Sequence, residues 1–119
     1  MKIKIKGTRM KITDAIRNHV EKRVEGLSKI IDADDPTILV DVEVGKISNH
    51  HKSGDVFRAE INLRYNRKQY RAVSETGDMY GSVDEAQKQM MSELRRSKSK
   101  KKSSMKKGGA EIKRMSRQK

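Results

Sequence analysis

The side chains that usually form an active site or a metal centre are few in this chain. It contains three His and no Cys, so thiolate ligands and disulfides are excluded. His50 and His51, with Asp55 nearby, offer imidazole groups but no third ligand at a spacing that defines a coordination geometry. The acidic residues of 32–35 precede Pro36 and lack the spacing of a calcium loop. We therefore expect no catalytic residue, no metal, no cofactor and no small-molecule substrate.

Phosphate binding is the chemistry that the composition favours. The chain has 29 Lys and Arg against 16 Asp and Glu, a formal net charge of +13. A chain this basic is expected to bind a polyanion, most commonly a nucleic acid. It has no apolar stretch long enough for a membrane span and no apolar core of a signal peptide, so no membrane partner is expected.

The positive charge is concentrated at the C-terminus. Residues 95–119 contain twelve Lys and Arg and one acid, a net charge of +11, which leaves +2 for residues 1–94. The terminal segment is rich in Lys and Ser and has too few apolar residues to offset chain entropy by burial. The sequence therefore predicts a folded domain at 1–97 and a flexible basic tail at 98–119, which either binds RNA or only aids solubility.

Alternating and helical apolar patterns predict six elements. Half-buried strands are predicted at 1–6, 37–47, 56–66 and 68–75. Helices are predicted at 13–31, capped by Thr13, and from a cap at Asp78 to about residue 97. Their apolar stripes are Ile16, Val20, Val24, Leu27 and Ile31 in the first helix, and Val83, Ala86, Met90 and Leu94 in the second.

The order β-α-β-β-β-α predicts an α+β fold with a four-stranded sheet and both helices on one face, similar to a double-stranded-RNA-binding domain. The other sheet face is predicted to be polar and salt-bridged. Phe57, Tyr65 and Tyr70 are expected to point inward, and Tyr80 to pack the second helix on the sheet, which leaves no platform for stacking bases. His19 is expected to be a partly buried surface residue. Recognition through RNA backbone and shape is therefore favoured.

Two motifs resemble the ribosome hibernation-promoting factor and ribosome-associated inhibitor family. The first is the run 10–30, which supplies Ile12, Thr13, Ala15, Ile16, Arg17, Val20, Arg23 and Leu27 of the family's first-helix pattern. The second is the run 77–86, which supplies Asp78, Met79, Tyr80, Val83 and Asp84 of its second-helix opening. The resemblance covers about residues 1–97 and is to the short members, because no further strand pattern follows.

The resemblance implies a bacterial cytoplasmic factor that binds the small ribosomal subunit and its ribosomal RNA, occupies the mRNA and tRNA channel, and keeps idle ribosomes inactive. The protein would be a monomer when free, and either paired or single ribosomes could result. The family often has Lys near 89 and Arg near 92, where this chain has Gln89 and Ser92. The expected RNA contacts are Arg17, Lys22, Arg23, Lys29, Lys88, Arg95, Arg96, Lys98, Lys100, Lys101 and Lys102.

Two other functions are compatible with the same residues. One is a general structured-RNA-binding protein or RNA chaperone, which would bind many RNAs with a steep salt dependence. The other is a regulator that binds an acidic protein. A preference for ribosomes over bulk duplex RNA separates the hibernation hypothesis from the first, and sensitivity to nuclease separates it from the second.

Overall fold

The computed structural model describes the backbone of residues 1–47 and 54–117 and the side chains of residues 1–47 and 54–100. His50 and His51, considered above as weak metal ligands, lie outside the described residues. Asp55, their proposed companion, forms an ion pair with Lys46 at 3.2 Å.

The elements follow the predicted order. They are β1 (Lys2–Thr8), α1 (Asp14–Glu25), a 3₁₀ turn (Gly26–Lys29), β2 (Leu39–Ile47), β3 (Val56–Tyr65), β4 (Lys68–Thr76) and α2 (Met79–Arg117). The four strands form one sheet in the order β1-β2-β3-β4, in which β1 pairs parallel with β2 and the other pairs are antiparallel. The predicted α+β fold is confirmed.

The strand register places apolar side chains in rows across the inner face of the sheet. One row runs through Ile5, Val42, Ile61 and Ala72, which are direct partners on neighbouring strands. The β3–β4 hairpin sets this register at one end, because Asn66 and Arg67 both have positive φ, 53° and 64°. Positive φ at both central residues is the geometry of the two-residue turn that matches strand twist, here built without glycine.

Both helices lie on the inner face and bury the stripes that the sequence predicts. The side chains of Val20, Val24 and Leu27 on the α1 side, and of Val83 and Met90 on α2, are fully buried. α2 packs mainly on β3 and β4, while α1 lies beside α2 and reaches β1. A single core therefore forms between one sheet face and two helices.

Each helix begins at the cap that the sequence indicates. The Thr13 hydroxyl accepts a hydrogen bond from the Ile16 amide at 3.2 Å, and the Asp78 carboxylate accepts one from the Gly81 amide at 3.0 Å. Both bonds satisfy amide groups that have no partner inside the first helical turn. The caps therefore determine where each helix begins.

The two predicted helix ends were wrong. The first helix was expected to reach residue 31, but its α-helical part ends at Glu25 and the chain tightens into a 3₁₀ turn from Gly26, the weakest helix former in the segment. The second helix was expected to end near residue 97 but continues to Arg117. Lys and Arg have good helix propensity, and the chain's single Pro, Pro36, lies elsewhere.

The outer face of the sheet has the ion pairs that the sequence predicts. Glu60 lies at its centre with only 12% of its side chain exposed, and its carboxylate accepts a hydrogen bond from Arg71 Nε at 2.6 Å and one from Arg58 Nη2 at 3.3 Å. Burial alone would raise the pKa of Glu60. Hydrogen bonding and attraction from Arg71, with a further contribution from Arg58, outweigh burial and hold the pKa below its usual value of 4.5.

We predict that Glu60 makes the stability of the domain depend on acidity. Because the pKa of Glu60 is lower in the folded state, its stabilising contribution is complete above about pH 4.5 and is lost as the pH falls through the folded pKa. Glu60→Gln should lower the free energy of unfolding by about 1 kcal/mol at pH 7. Urea unfolding between pH 7 and pH 3 should show a shallower loss of stability for Glu60→Gln than for the wild type.

The control for this experiment is Glu75→Gln. Glu75 is 56% exposed and lies 3.8 Å from Arg58, so its removal should leave the acid dependence close to that of the wild type. Equal pH profiles for Glu60→Gln and the wild type would contradict the assigned role of Glu60.

Candidate nucleic-acid interface

An ion-pair cluster joins the exposed sides of α1 and α2. The Asp84 carboxylate on α2 lies 2.8 Å from His19 Nε2 and 2.7 Å from Arg23 Nε, both on α1. His19 and Arg23 are four residues apart, so they share one side of the helix and reach the same carboxylate. His19 is therefore a partly buried structural residue, as expected, and Asp84 is its partner.

The Tyr80 ring completes this junction. It meets the His19 imidazole edge to face, with ring centroids 4.8 Å apart and an interplanar angle of 85°. Tyr80 is 38% exposed. The expectation that Tyr80 packs α2 on the sheet was wrong, because position 80 lies on the side of α2 that faces α1. The structure thus presents one exposed aromatic ring on the helical surface, where the sequence predicted none.

The four predicted RNA contacts of the first helix and the turn that follows it do not form one group. Lys22 lies in the groove beside Tyr80. Arg23 is held by Asp84. Arg17 lies on the other side of α1, where it lines a pocket beside β1, and Lys29 is exposed in the 3₁₀ turn.

Four neighbouring charged residues change the electrostatic potential around Lys22 and Arg17. The groove that holds Lys22 also contains Glu21 and Glu25, which reduce its positive potential. The pocket at Arg17 contains Lys4 and Lys6, and the sequence reasoning did not assign these strand residues to a site. Their alternation with Ile3 and Ile5 was visible in the sequence, but their nearness to α1 depends on the parallel pairing of β1.

On α2, the predicted contacts lie along the exposed part of the helix. Lys88 and Arg95 are both exposed and seven residues apart, so they share one face. Arg96 pairs with Glu93 at 3.2 Å, as helical spacing suggests. Lys98 and Lys100 are exposed, and Lys101 and Lys102 continue the helical backbone.

The substitutions relative to the family pattern lie close to this face. Gln89 and Ser92 are both exposed on α2. Their side chains carry no charge, so the helix surface between Lys88 and Arg95 has no additional cation. The exposed cations of the second helix are therefore spaced by about two turns rather than by one.

The described part of the chain also bears on metal and membrane chemistry. Over the residues described, no group of three or more His, Asp or Glu is placed to hold a metal ion. The search for a helix both long enough and apolar enough to cross a bilayer found none among those residues.

Residues 3–102 match the family described as sigma 54 modulation protein / S30EA ribosomal protein. The chain belongs to this family. The match covers both helix motifs, so the resemblance inferred from them is confirmed. This member is a ribosome-associated protein of the hibernation type.

Solved structures agree with this assignment. The chain is 27% identical to the N-terminal domain of Protein Y from Thermus thermophilus, with a TM-score of 0.67 over 81% of this chain and 98% of that one. It shares the fold of a ribosomal subunit interface protein from Coxiella burnetii at 22% identity and a TM-score of 0.61, over 83% of this chain and 99% of that one. No curated protein matches the chain.

We predict that Asp84 stabilises the contact between the two helices. Asp84→Ala should lower the free energy of unfolding by about 1 kcal/mol, because it removes an ion pair with Arg23 and a hydrogen bond with His19, both only partly exposed. A double-mutant cycle with Arg23→Ala, measured by urea unfolding, should give a coupling energy of about 0.5 kcal/mol.

The matched control is Glu85→Ala at the next position. Glu85 is exposed, and no ion pair of the described residues involves it. Its replacement should change the free energy of unfolding by less than about 0.5 kcal/mol. A cycle for Arg23 and Asp84 with no coupling would contradict a clamp between the helices.

Proposed function

We propose that this protein binds the small ribosomal subunit through its ribosomal RNA, occupies the channel used by mRNA and tRNA, and thereby keeps idle ribosomes inactive. Membership of the S30EA family supports this proposal. The observation that carries it is the exposed helical surface, which presents Lys22, Lys88 and Arg95 on the side of the domain away from the sheet. A folded domain placed in a channel acts by excluding other occupants, and this action requires no catalytic residue or cofactor.

The low net charge of residues 1–94 favours recognition of RNA by a few cations at defined positions. Residues 1–94 carry a net charge of only +2, so the domain has no general attraction for RNA. Binding at one location then depends on how well a rigid surface fits the RNA backbone, which is how proteins read folded RNA. We propose that the chain acts as a monomer in the bacterial cytoplasm, with no membrane partner.

The ion pairs divide the predicted contacts into two groups. Arg23 and Arg96 already have carboxylate partners at 2.7 Å and 3.2 Å. A phosphate must compete with that carboxylate, so its gain from either Arg is smaller than from a cation that has no such partner. Lys88 and Arg95 appear in none of the ion pairs of the described residues. We therefore assign the larger share of the helix contacts to Lys88 and Arg95.

We predict that Lys88→Ala combined with Arg95→Ala weakens binding to purified ribosomes by about 10- to 100-fold at physiological salt, since each phosphate contact contributes roughly 1 kcal/mol. Co-sedimentation and in vitro translation measure the effect. The slope of log affinity against log salt should fall by roughly 1.5.

The matched control removes two charges from the outer face of the sheet. Lys2 and Arg64 are both exposed and flank Leu39 in the strand register. Lys2→Ala combined with Arg64→Ala should leave ribosome binding within about threefold of the wild type, because those side chains face away from the helices. Equal losses in the two double variants would contradict a helix-borne interface.

We propose that the basic C-terminal part of α2 increases the affinity for the ribosome but does not determine where on the ribosome the protein binds. Removal of residues 101–119 leaves the Tyr70–Ser97 hydrogen bond and the buried Leu94 in place, so the domain should remain folded. We predict that this truncation weakens ribosome binding and flattens its salt dependence. Gradient sedimentation at several salt concentrations, with urea unfolding as the folding control, tests the prediction. Unchanged binding would contradict a contribution of residues 101–119 to ribosome affinity.

A second function is favoured by one observation. The segment 95–119 holds +11 of the +13 charge, and charge of this density binds any RNA. A general RNA-binding protein or RNA chaperone would therefore be displaced from ribosomes by an equal mass of duplex RNA. A ribosome-specific factor would stay bound. Competition at physiological salt separates the two functions.

A further inference from the structure

A pocket of about 230 Å³ opens where α2 leaves the sheet, next to the tip of the β3–β4 hairpin. Its walls include Tyr65 and Tyr70 from the two strands, together with Leu94 and Ser97 from α2. None of the residues that line it belongs to the helix contacts assigned above except Lys98.

Aromatic rings in this pocket are held in place by the fold. The Tyr70 hydroxyl and the Ser97 hydroxyl lie 2.7 Å apart in a hydrogen bond between β4 and α2. Tyr65 lies on the same face of the sheet, paired with Lys68 across the hairpin. Both rings pack partly against the core, and Leu94, which is 2% exposed, forms part of the apolar floor. Ring orientation is therefore set before any ligand arrives.

The charged residues that line the pocket are all cationic. Lys68 comes from the hairpin and Lys98 from α2, and none of the eight residues that line the pocket is acidic. The groove beside α1 contains Glu21 and Glu25 instead. An apolar floor with aromatic walls and a purely cationic rim complements a planar, apolar group that carries an adjacent anion. A nucleotide has both parts.

We propose that this pocket binds one unstacked nucleotide of an RNA strand, with the base against Tyr65 and Tyr70 and the neighbouring phosphate at Lys68 and Lys98. Single-stranded RNA offers bases that stack on aromatic side chains, whereas duplex RNA keeps its bases stacked inside the helix. The exposed Lys100 lies two residues beyond Lys98 on α2 and adds positive charge near the pocket. The inference rests on the proposed function only in taking RNA as the partner.

Intrinsic tyrosine fluorescence tests the proposal with the full chain. The protein has three Tyr and no Trp, so in a Tyr80→Phe background all tyrosine emission comes from Tyr65 and Tyr70. Penta-adenylate RNA should quench this emission in a saturable way. An abasic strand of the same length and charge should bind about tenfold more weakly, since base stacking supplies the difference. Equal binding of the two strands overturns the proposal, as does AMP binding as tightly as the pentamer.

Variants separate stacking from charge. Tyr65→Ala with Tyr70→Ala should weaken binding of end-labelled penta-adenylate about tenfold in fluorescence anisotropy, while Tyr65→Phe with Tyr70→Phe stays within about threefold. Tyr80→Ala is the matched control, since position 80 is eighteen residues from Lys98 along α2, roughly 27 Å. If the double alanine variant fails to fold, Lys68→Ala with Lys98→Ala provides the test on exposed residues. Unchanged affinity and salt slope in that variant overturn the proposal.

Binding of the wild-type protein to ribosomes and to the two RNA strands distinguishes this inference from the proposed function. Wild-type protein that binds penta-adenylate but not ribosomes contradicts the proposed function and leaves the pocket in place. Wild-type protein that binds ribosomes but does not distinguish penta-adenylate from the abasic strand contradicts the pocket alone.

Discussion

One constraint organises this protein: the sheet has a single apolar face, and each helix has a single apolar stripe. The row from Ile5 through Val42 and Ile61 to Ala72 must be covered, and the opposite face already satisfies its charges around Glu60. Both helices are therefore required on the same side. Their outer surfaces then lie next to each other, which places cations from distant parts of the sequence on one surface.

The contact between the helices determines which of those cations already have a carboxylate partner. Asp84 binds both His19 and Arg23, so one carboxylate fixes the position of α1 against α2 and also engages a cation that the sequence assigns to RNA. The stability of the surface and its charge are thus linked. A rigid surface with fewer free cations favours one fitting RNA site over many loosely bound ones, because fewer contacts remain when the shape does not match.

Much of the fold could be predicted from the sequence, because apolar periodicity reports which face each element buries. The caps at Thr13 and Asp78 follow from local chemistry and are confirmed. The end of α2 did not follow, because a segment rich in Lys and Ser with few apolar residues is typical of disorder, although Lys and Arg have good helix propensity.

The candidate site was harder to predict, since its details depend on contacts between distant residues. The pairing of Asp84 with Arg23 spans sixty-one positions. The nearness of Lys4 to Arg17 requires the parallel pairing of β1 with β2, and the pocket at Lys68 requires the β3–β4 hairpin to lie beside α2.

Because α2 continues to Arg117, its basic C-terminal part lies apart from the surface of the folded domain. Residues 98–117 are helical and extend about 30 Å at 1.5 Å per residue. Charges in water at physiological salt influence each other over only about 8 Å. Under the proposed function, the end of this segment and the domain surface would therefore bind phosphates independently, at different parts of an RNA. On that proposal, the domain selects the location and the helical extension strengthens binding to that neighbourhood.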